Sequence, residues 1–267
     1  IKNVLHSAFS HAGQKCSATS LLLLESEVYD DPEFKRSLVE AAESLIVGSA
    51  WDLPTKMGPL IRPPSGDLQN ALLTLEDGES WALMPCKLDG NDCLWSPGIK
   101  WGVQPGSYTH MTEFFGPVLG VMRYEKLHEA VAWVNQTGFG LTSGLESLDD
   151  REQVEWKAGI RAGNLYINRG TTGAVVLRQP FGGMGKSAFG PGLKAGGPNY
   201  VAQFMRFQET LVWPGDEPLR NPALEHRALN IVNESCGGPE EQYWRTLKAL
   251  ESCDQWWSAE FGREHDH

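Results

Sequence analysis

The sequence predicts an α/β fold, a largely parallel sheet covered by helices and followed by a short helical C-terminal tail. Three observations carry this expectation. Strand and helix patterns alternate through residues 118–167, residues 170–198 hold nine glycines and three prolines, and the chain changes character beyond Trp213-Pro214.

The elements follow in order. Val4, Leu5, Ala8 and Phe9 stand at helical spacing, and Gly13 is a good C-terminal breaker for that helix. Leu21–Leu24 reads as a short buried strand, with Cys16 in the turn before it. A helix is expected from Asp31-Pro32, because proline suits a first turn and Phe34, Leu38, Ala41, Ala42, Leu45 and Ile46 share one face. Residues 57–65 carry three prolines and read as an irregular connection, with Met57-Gly58-Pro59-Leu60 a fixed turn. A further helix is expected near Leu68–Leu75. Val118–Tyr124 then reads as a strand, Glu125–Asn135 as a helix, Leu141–Leu145 as a strand, Glu152–Trp156 as a helix and Asn164–Ile167 as a strand. The glycine-rich stretch after Gly170 is expected to form a loop system. The domain expectation is residues 1–213 as one α/β unit and residues 214–267 as an acidic helical tail, with helices at Glu225–Asn233 and Glu240–Glu260. From residue 214 onward eleven Asp and Glu face five Lys and Arg, so the tail holds more than half of the net charge of −11.

That acidity argues against partners that need a basic surface, nucleic acid and anionic membranes among them. The five cysteines, Cys16, Cys86, Cys93, Cys236 and Cys253, are an odd number with no repeating spacing, which suits a reducing cytoplasm better than a disulfide framework. Neither CxxC nor HExxH occurs, so a zinc site has no support. The run Leu21–Leu24 is too short to span a bilayer. A chain that begins Ile-Lys-Asn without methionine reads as cut from something longer.

Cys16, in Gly13-Gln14-Lys15-Cys16-Ser17, is the first residue with chemistry to offer. A thiolate is a strong nucleophile, and small neighbours leave room for a substrate and for N–H groups facing an oxyanion. Taken alone, a cysteine between a helix and a strand is more often an inert buried side chain. In Glu113-Phe114-Phe115-Gly116-Pro117 a carboxylate able to accept from a ribose diol stands two residues before a ring able to pack on a flat heterocycle. The same segment also reads as a turn with a surface Glu and a core Phe. Gln179-Pro180-Phe181-Gly182-Gly183-Met184-Gly185-Lys186-Ser187 lets backbone approach a ligand closely, but Pro180 stands where a phosphate loop needs its first glycine. Asn168 and Arg169 read first as loop-capping residues and second as pocket residues. His11 reads as a solvated histidine.

Together the three segments resemble the aldehyde dehydrogenase superfamily: Gly-Gln-Lys-Cys-Ser its nucleophile segment, Glu-x-Phe-Gly-Pro its cofactor segment, Pro-Phe-Gly-Gly its closing loop. The resemblance covers roughly residues 1–210. Gly173-Ala174-Val175-Val176 and the run Gly190–Tyr200 resemble the glutamate-semialdehyde (Δ1-pyrroline-5-carboxylate) dehydrogenases, above all the dehydrogenase module of bifunctional proline-utilisation proteins. The resemblance implies a three-layer catalytic domain, NAD as cofactor, and FAD only if a proline dehydrogenase domain lies upstream. It implies that Cys16 attacks the aldehyde to give a thiohemiacetal and then a thioester, which water releases as glutamate. Glu113 would bind the nicotinamide ribose and Phe115 would support the ring. Ser17, Gly173 and Ala174 would hold the substrate carboxylate, and Phe181 would pack on its aliphatic chain. The family's general-base Glu, oxyanion Asn and NAD-binding half lie upstream of the cysteine, so this chain alone is expected to be inactive and the complete protein to be a homo-oligomer. The alternatives are another aldehyde substrate, or a non-catalytic fragment that serves oligomerisation or scaffolding.

Overall fold

The computed structural model describes residues 1–88, 90–175, 178–190 and 192–207. Helix α1 (Lys2–Phe9) runs into a 3₁₀ turn at Ser10–Gly13, where the chain halts as expected. Strand β1 (Leu21–Glu25) follows, then a single turn α2 (Ser26–Tyr29) and α3 (Pro32–Glu43). Asp31 caps α3 by accepting from the Glu33 N–H at 2.9 Å, with Pro32 in the first turn. The helix stops at Glu43, two residues before Leu45, because Ser44 closes the last turn with its hydroxyl on the Ala41 carbonyl. Leu45 still packs on the core, whereas Ile46 faces solvent, which corrects the expectation that both belong to the helical face.

After the irregular 57–65 segment come α4 (Gly66–Leu73), β2 (Ser80–Leu83), β3 (Gly98–Trp101), α5 (Tyr108–Met111) and β4 (Val118–Tyr124). Then follow α6 (Leu127–Gln136), β5 (Phe139–Gly140), β6 (Thr142–Leu145), α7 (Asp150–Gly159), β7 (Asn164–Ile167) and β8 (Met184–Gly185).

Four strands form one sheet in the order β1-β4-β3-β2, with β1 and β3 parallel to β4 and β2 antiparallel to β3. The sheet is therefore mixed, not largely parallel. Residues 84–97 fold back on themselves through the Lys87 and Trp95 bridge, so β3 returns beside β2 without the helical crossover that a parallel neighbour needs. Two smaller ladders complete the structure, β6 parallel to β7 and β5 antiparallel to β8.

The core lies where α1, α3 and α4 cover the four-stranded sheet, and Phe9, Leu38, Leu72, Ile99, Leu119 and Val121 are fully buried there. A second cluster, Val131, Trp156 and Ile160, forms between α6 and α7. The expected tail helices at 225–233 and 240–260 lie outside the described residues. Among the described residues no helix is long and apolar enough to cross a membrane, and no three His, Cys, Asp or Glu side chains gather where they could hold a metal ion.

His110 in α5 is buried, and its ring is read on both sides. Nδ1 accepts from the Gly106 N–H at 2.8 Å and Nε2 donates to the Trp133 carbonyl at 2.9 Å, which requires the neutral Nε2–H tautomer. Burial pushes its pKa below the usual 6.5, against the opposing effect of the Trp133 bond. The unfolded chain takes up a proton as pH falls through 6.5, while the folded chain resists it. The stability that neutral His110 contributes is therefore present above pH 6.5 and lost on acidification. The thermal midpoint of the chain should fall between about pH 7.5 and 5.5, and His110→Gln should flatten that decline. An equal slope in both would contradict this account.

Candidate active site

Three segments are tied to one another through Gln14 and Ser17, on either side of Cys16. The first is the nucleophile turn. His11, Ala12 and Gly13 take left-handed backbone at φ 55°, 54° and 68°, an arrangement that costs about 1–2 kcal/mol for each non-glycine residue and persists only where the surroundings hold it. Here the surroundings are tight. A Cβ on Gly13 would lie 2.1 Å from the Gly116 carbonyl oxygen, so glycine is required by contact as well as by φ. The turn delivers Cys16 to the exposed surface and buries Ser17. Among the described residues none hydrogen-bonds to the Cys16 sulfur.

The second segment is the turn before β4. Phe114 is buried, so Glu113 and Phe115 on either side of it stand exposed. Phe115 has φ 57° and leaves 41% of its surface open. Gly116 is wedged, since a Cβ there would meet Leu68 of α4 at 2.2 Å. Gln14 ties this turn to the first. Its amide donates to the Phe115 carbonyl at 3.2 Å and its carbonyl accepts from the Ile61 N–H at 3.0 Å. The fixed turn at Met57–Leu60 thus ends on the site. An outward carboxylate and an outward ring, two residues apart on a pinned turn, fit the ribose and the flat face of a nicotinamide nucleotide.

The third segment is the loop after β7. The Thr171 N–H donates to Ser7 Oγ at 3.0 Å, and its hydroxyl donates to the Ser17 carbonyl at 2.8 Å. With that proton committed, Thr19 Oγ1, 3.0 Å away, must be the donor to Thr171. These bonds tie Ser17 to Thr171, two residues before the Gly173-Ala174 turn. Gly173 has φ 85°, and among the described residues neither its N–H nor that of Ala174 finds an acceptor. Two free N–H groups in a glycine turn form an anion-binding concavity.

Phe181 is held by a separate set of bonds. It pairs with Ala195, and the Asn164 amide brackets it by donating to the Pro180 carbonyl and accepting from the Gly182 N–H. No described contact joins Phe181 to Cys16. A cavity of about 550 Å³ lines this region, bounded by Asn164, Gln179, Lys194 and Tyr200, but neither Cys16 nor Glu113 borders it. Asn168 caps a loop, with its side chain on both backbone groups of Ser147, and Arg169 stacks on Tyr166. Lys186 donates to the Thr137 carbonyl at 2.7 Å, a structural tether and not a phosphate ligand. The connecting residues Gln14, Ser7, Thr19, Thr171 and Asn164 were not legible as functional from their spacing, though Gln14 stands inside the nucleophile motif.

Residues 1–210 match the family model described as the aldehyde dehydrogenase family. The chain belongs to that family. The 1-pyrroline-5-carboxylate dehydrogenase of Bacillus subtilis (strain 168) is 33% identical over 211 residues, which cover 78% of this chain and 40% of that protein. This aldehyde dehydrogenase chain thus spans about two fifths of the length of the curated relatives it matches. Among solved structures, proline utilization A (PutA) from Corynebacterium freiburgense is 46% identical, with a TM-score of 0.81 over 99% of this chain and 26% of that one. The 1-pyrroline-5-carboxylate dehydrogenase from Thermus with bound NAD is 32% identical, with a TM-score of 0.66 over 76% of this chain and 39% of that one.

Proposed function

We propose that the complete protein carrying this chain oxidises L-glutamate γ-semialdehyde, formed from Δ1-pyrroline-5-carboxylate, to glutamate with NAD in proline catabolism. The observation that supports this reading is the pair of bridges beside Cys16, from Gln14 to the turn bearing Glu113 and Phe115 and from Ser17 to Thr171 in the loop that leads to Gly173 and Ala174. The names of the relatives support the substrate and the NAD-bound relative supports the cofactor.

In this reading Cys16 Sγ adds to the aldehyde carbon and its own N–H faces the oxyanion. NAD, when bound, would supply the hydride acceptor for that carbon, and water would then release the acyl group from the Cys16 sulfur as the carboxylate. Glu113 holds the ribose and Phe115 the ring. The Gly173 and Ala174 N–H groups and the Ser17 hydroxyl hold the substrate carboxylate, and Phe181 covers its chain. FAD enters only with a proline dehydrogenase domain, and homo-oligomeric assembly belongs to the same reading. Residues 214–267 are proposed as an acidic appendage beyond a boundary near residue 213. The odd number of cysteines, with no repeating spacing, suits a reducing compartment such as the cytoplasm.

Kinetics on the complete protein test the substrate. The kcat/KM for glutamate semialdehyde should exceed that for a same-length aldehyde without the carboxylate. Ala174→Pro removes one donor to a charged group and should cut the preference by roughly 10- to 100-fold. Equal kcat/KM for the two aldehydes would overturn the carboxylate assignment.

A further inference from the structure

Lys100 lies in the middle of β3 with 1% of its surface exposed, an unusual place for an ammonium group. Its Nζ is 3.2 Å from Glu79 Oε2, and the Glu79 side chain is fully buried. The remaining neighbours are the Thr109 hydroxyl at 3.2 Å and the rings of Trp81 and Phe114 at 5.5 and 5.8 Å. Glu79 Oε2 also accepts from the Glu76 N–H, while Glu79 Oε1 is buried with no partner. A buried pair with an unfilled acceptor is a poor device for stability, since apolar residues of similar volume commonly do as well or better. Its geometry suits another task. Phe114 is the inward-facing residue between Glu113 and Phe115, and its ring rests on the Lys100 ammonium and on Tyr108 at 5.6 Å. Gln14 holds the same turn from the other side.

We infer that the buried Lys100–Glu79 pair is a positioning device for the cofactor turn, acting through Phe114 to set Glu113 and Phe115. This rests on the reading above that those two residues bind NAD. A charged, hydrogen-bonded floor under the ring restricts its rotation more than an apolar one of equal volume, because the ammonium prefers the ring face. The pair therefore bears on the cofactor and not on the aldehyde.

The test uses the complete protein and measures NAD dissociation, the KM of each substrate and the rate at which iodoacetamide alkylates Cys16. Lys100→Met leaves Glu79 buried without its counter-charge and can lose the fold, so the neutral double variant Lys100→Met with Glu79→Gln carries the argument. Glu113→Ala serves as the reference. The expected result is an NAD Kd raised about 10-fold or more in the double variant, an aldehyde KM and an alkylation rate within 2-fold of wild type, and partial recovery in Lys100→Arg. If Glu113→Ala raises the Kd while the double variant matches wild type, the pair merely fills the core and the inference fails alone. If Glu113→Ala leaves the Kd unchanged, the cofactor-turn reading fails and takes the inference with it.

Discussion

Gly13→Ala in the complete protein should lower kcat/KM by on the order of 100-fold or more, because a misplacement of about 1 Å at a reacting group has that effect. The new Cβ would sit 2.1 Å from the Gly116 oxygen and 2.6 Å from the Gly116 carbonyl carbon. Both atoms are backbone, and Gly116 cannot retreat, because Leu68 of α4 stands behind it. Gly13 also has φ 68°, so alanine adds left-handed strain to the clash. Either the nucleophile turn or the turn bearing Phe115 must move, and the Gln14 bond between them opens. Stability should fall as well, by a few kcal/mol as for other overpacked sites. Gly58→Ala is the contrasting control, since nothing lies within 4 Å of a Cβ there, and its kcat/KM should stay within about 2-fold of wild type. Equal behaviour of the two variants would mean that the close approach of the turns does not matter to the reaction.

The strands that sequence patterning reveals are Leu21–Leu24, Val118–Tyr124, Leu141–Leu145 and Asn164–Ile167, and each overlaps a strand of the structure. Four escape it: β5 and β8 are two residues long, β2 and β3 four, and β3 carries Lys100 where the pattern needs an apolar residue. That lysine hides the strand and, with it, the antiparallel edge that makes the sheet mixed. The overshoot of α3 has the opposite cause. Leu45 continues the apolar periodicity and packs on the core, although the helical hydrogen bonds have ended. At the candidate site, the residues proposed to react or to bind a ligand stand in motifs. Their connectors do not, because a glutamine or threonine that bonds to a distant backbone group has no periodicity of its own. The left-handed conformation of Phe115, which turns its ring outward, is likewise set by packing around Gly13 and Leu68 and leaves no mark in a string of letters.

The second large effect is expected at Cys16 itself. Its side chain is exposed and has no hydrogen-bond partner among the described residues, so replacement by alanine should change stability by no more than about 0.5 kcal/mol. Glu113, Phe115 and the Gln14 bridge are untouched, so NAD binding should persist. Removal of the sulfur proposed to carry the acyl group should nonetheless lower turnover by on the order of 1,000-fold or more. The direct measurement is NADH production from glutamate semialdehyde by the complete protein before and after Cys16→Ala. A fall of that size, in a protein that still melts as wild type and still binds NAD, is the predicted result. A rate within about 10-fold of wild type would place the nucleophile elsewhere and contradict the assignment of Cys16.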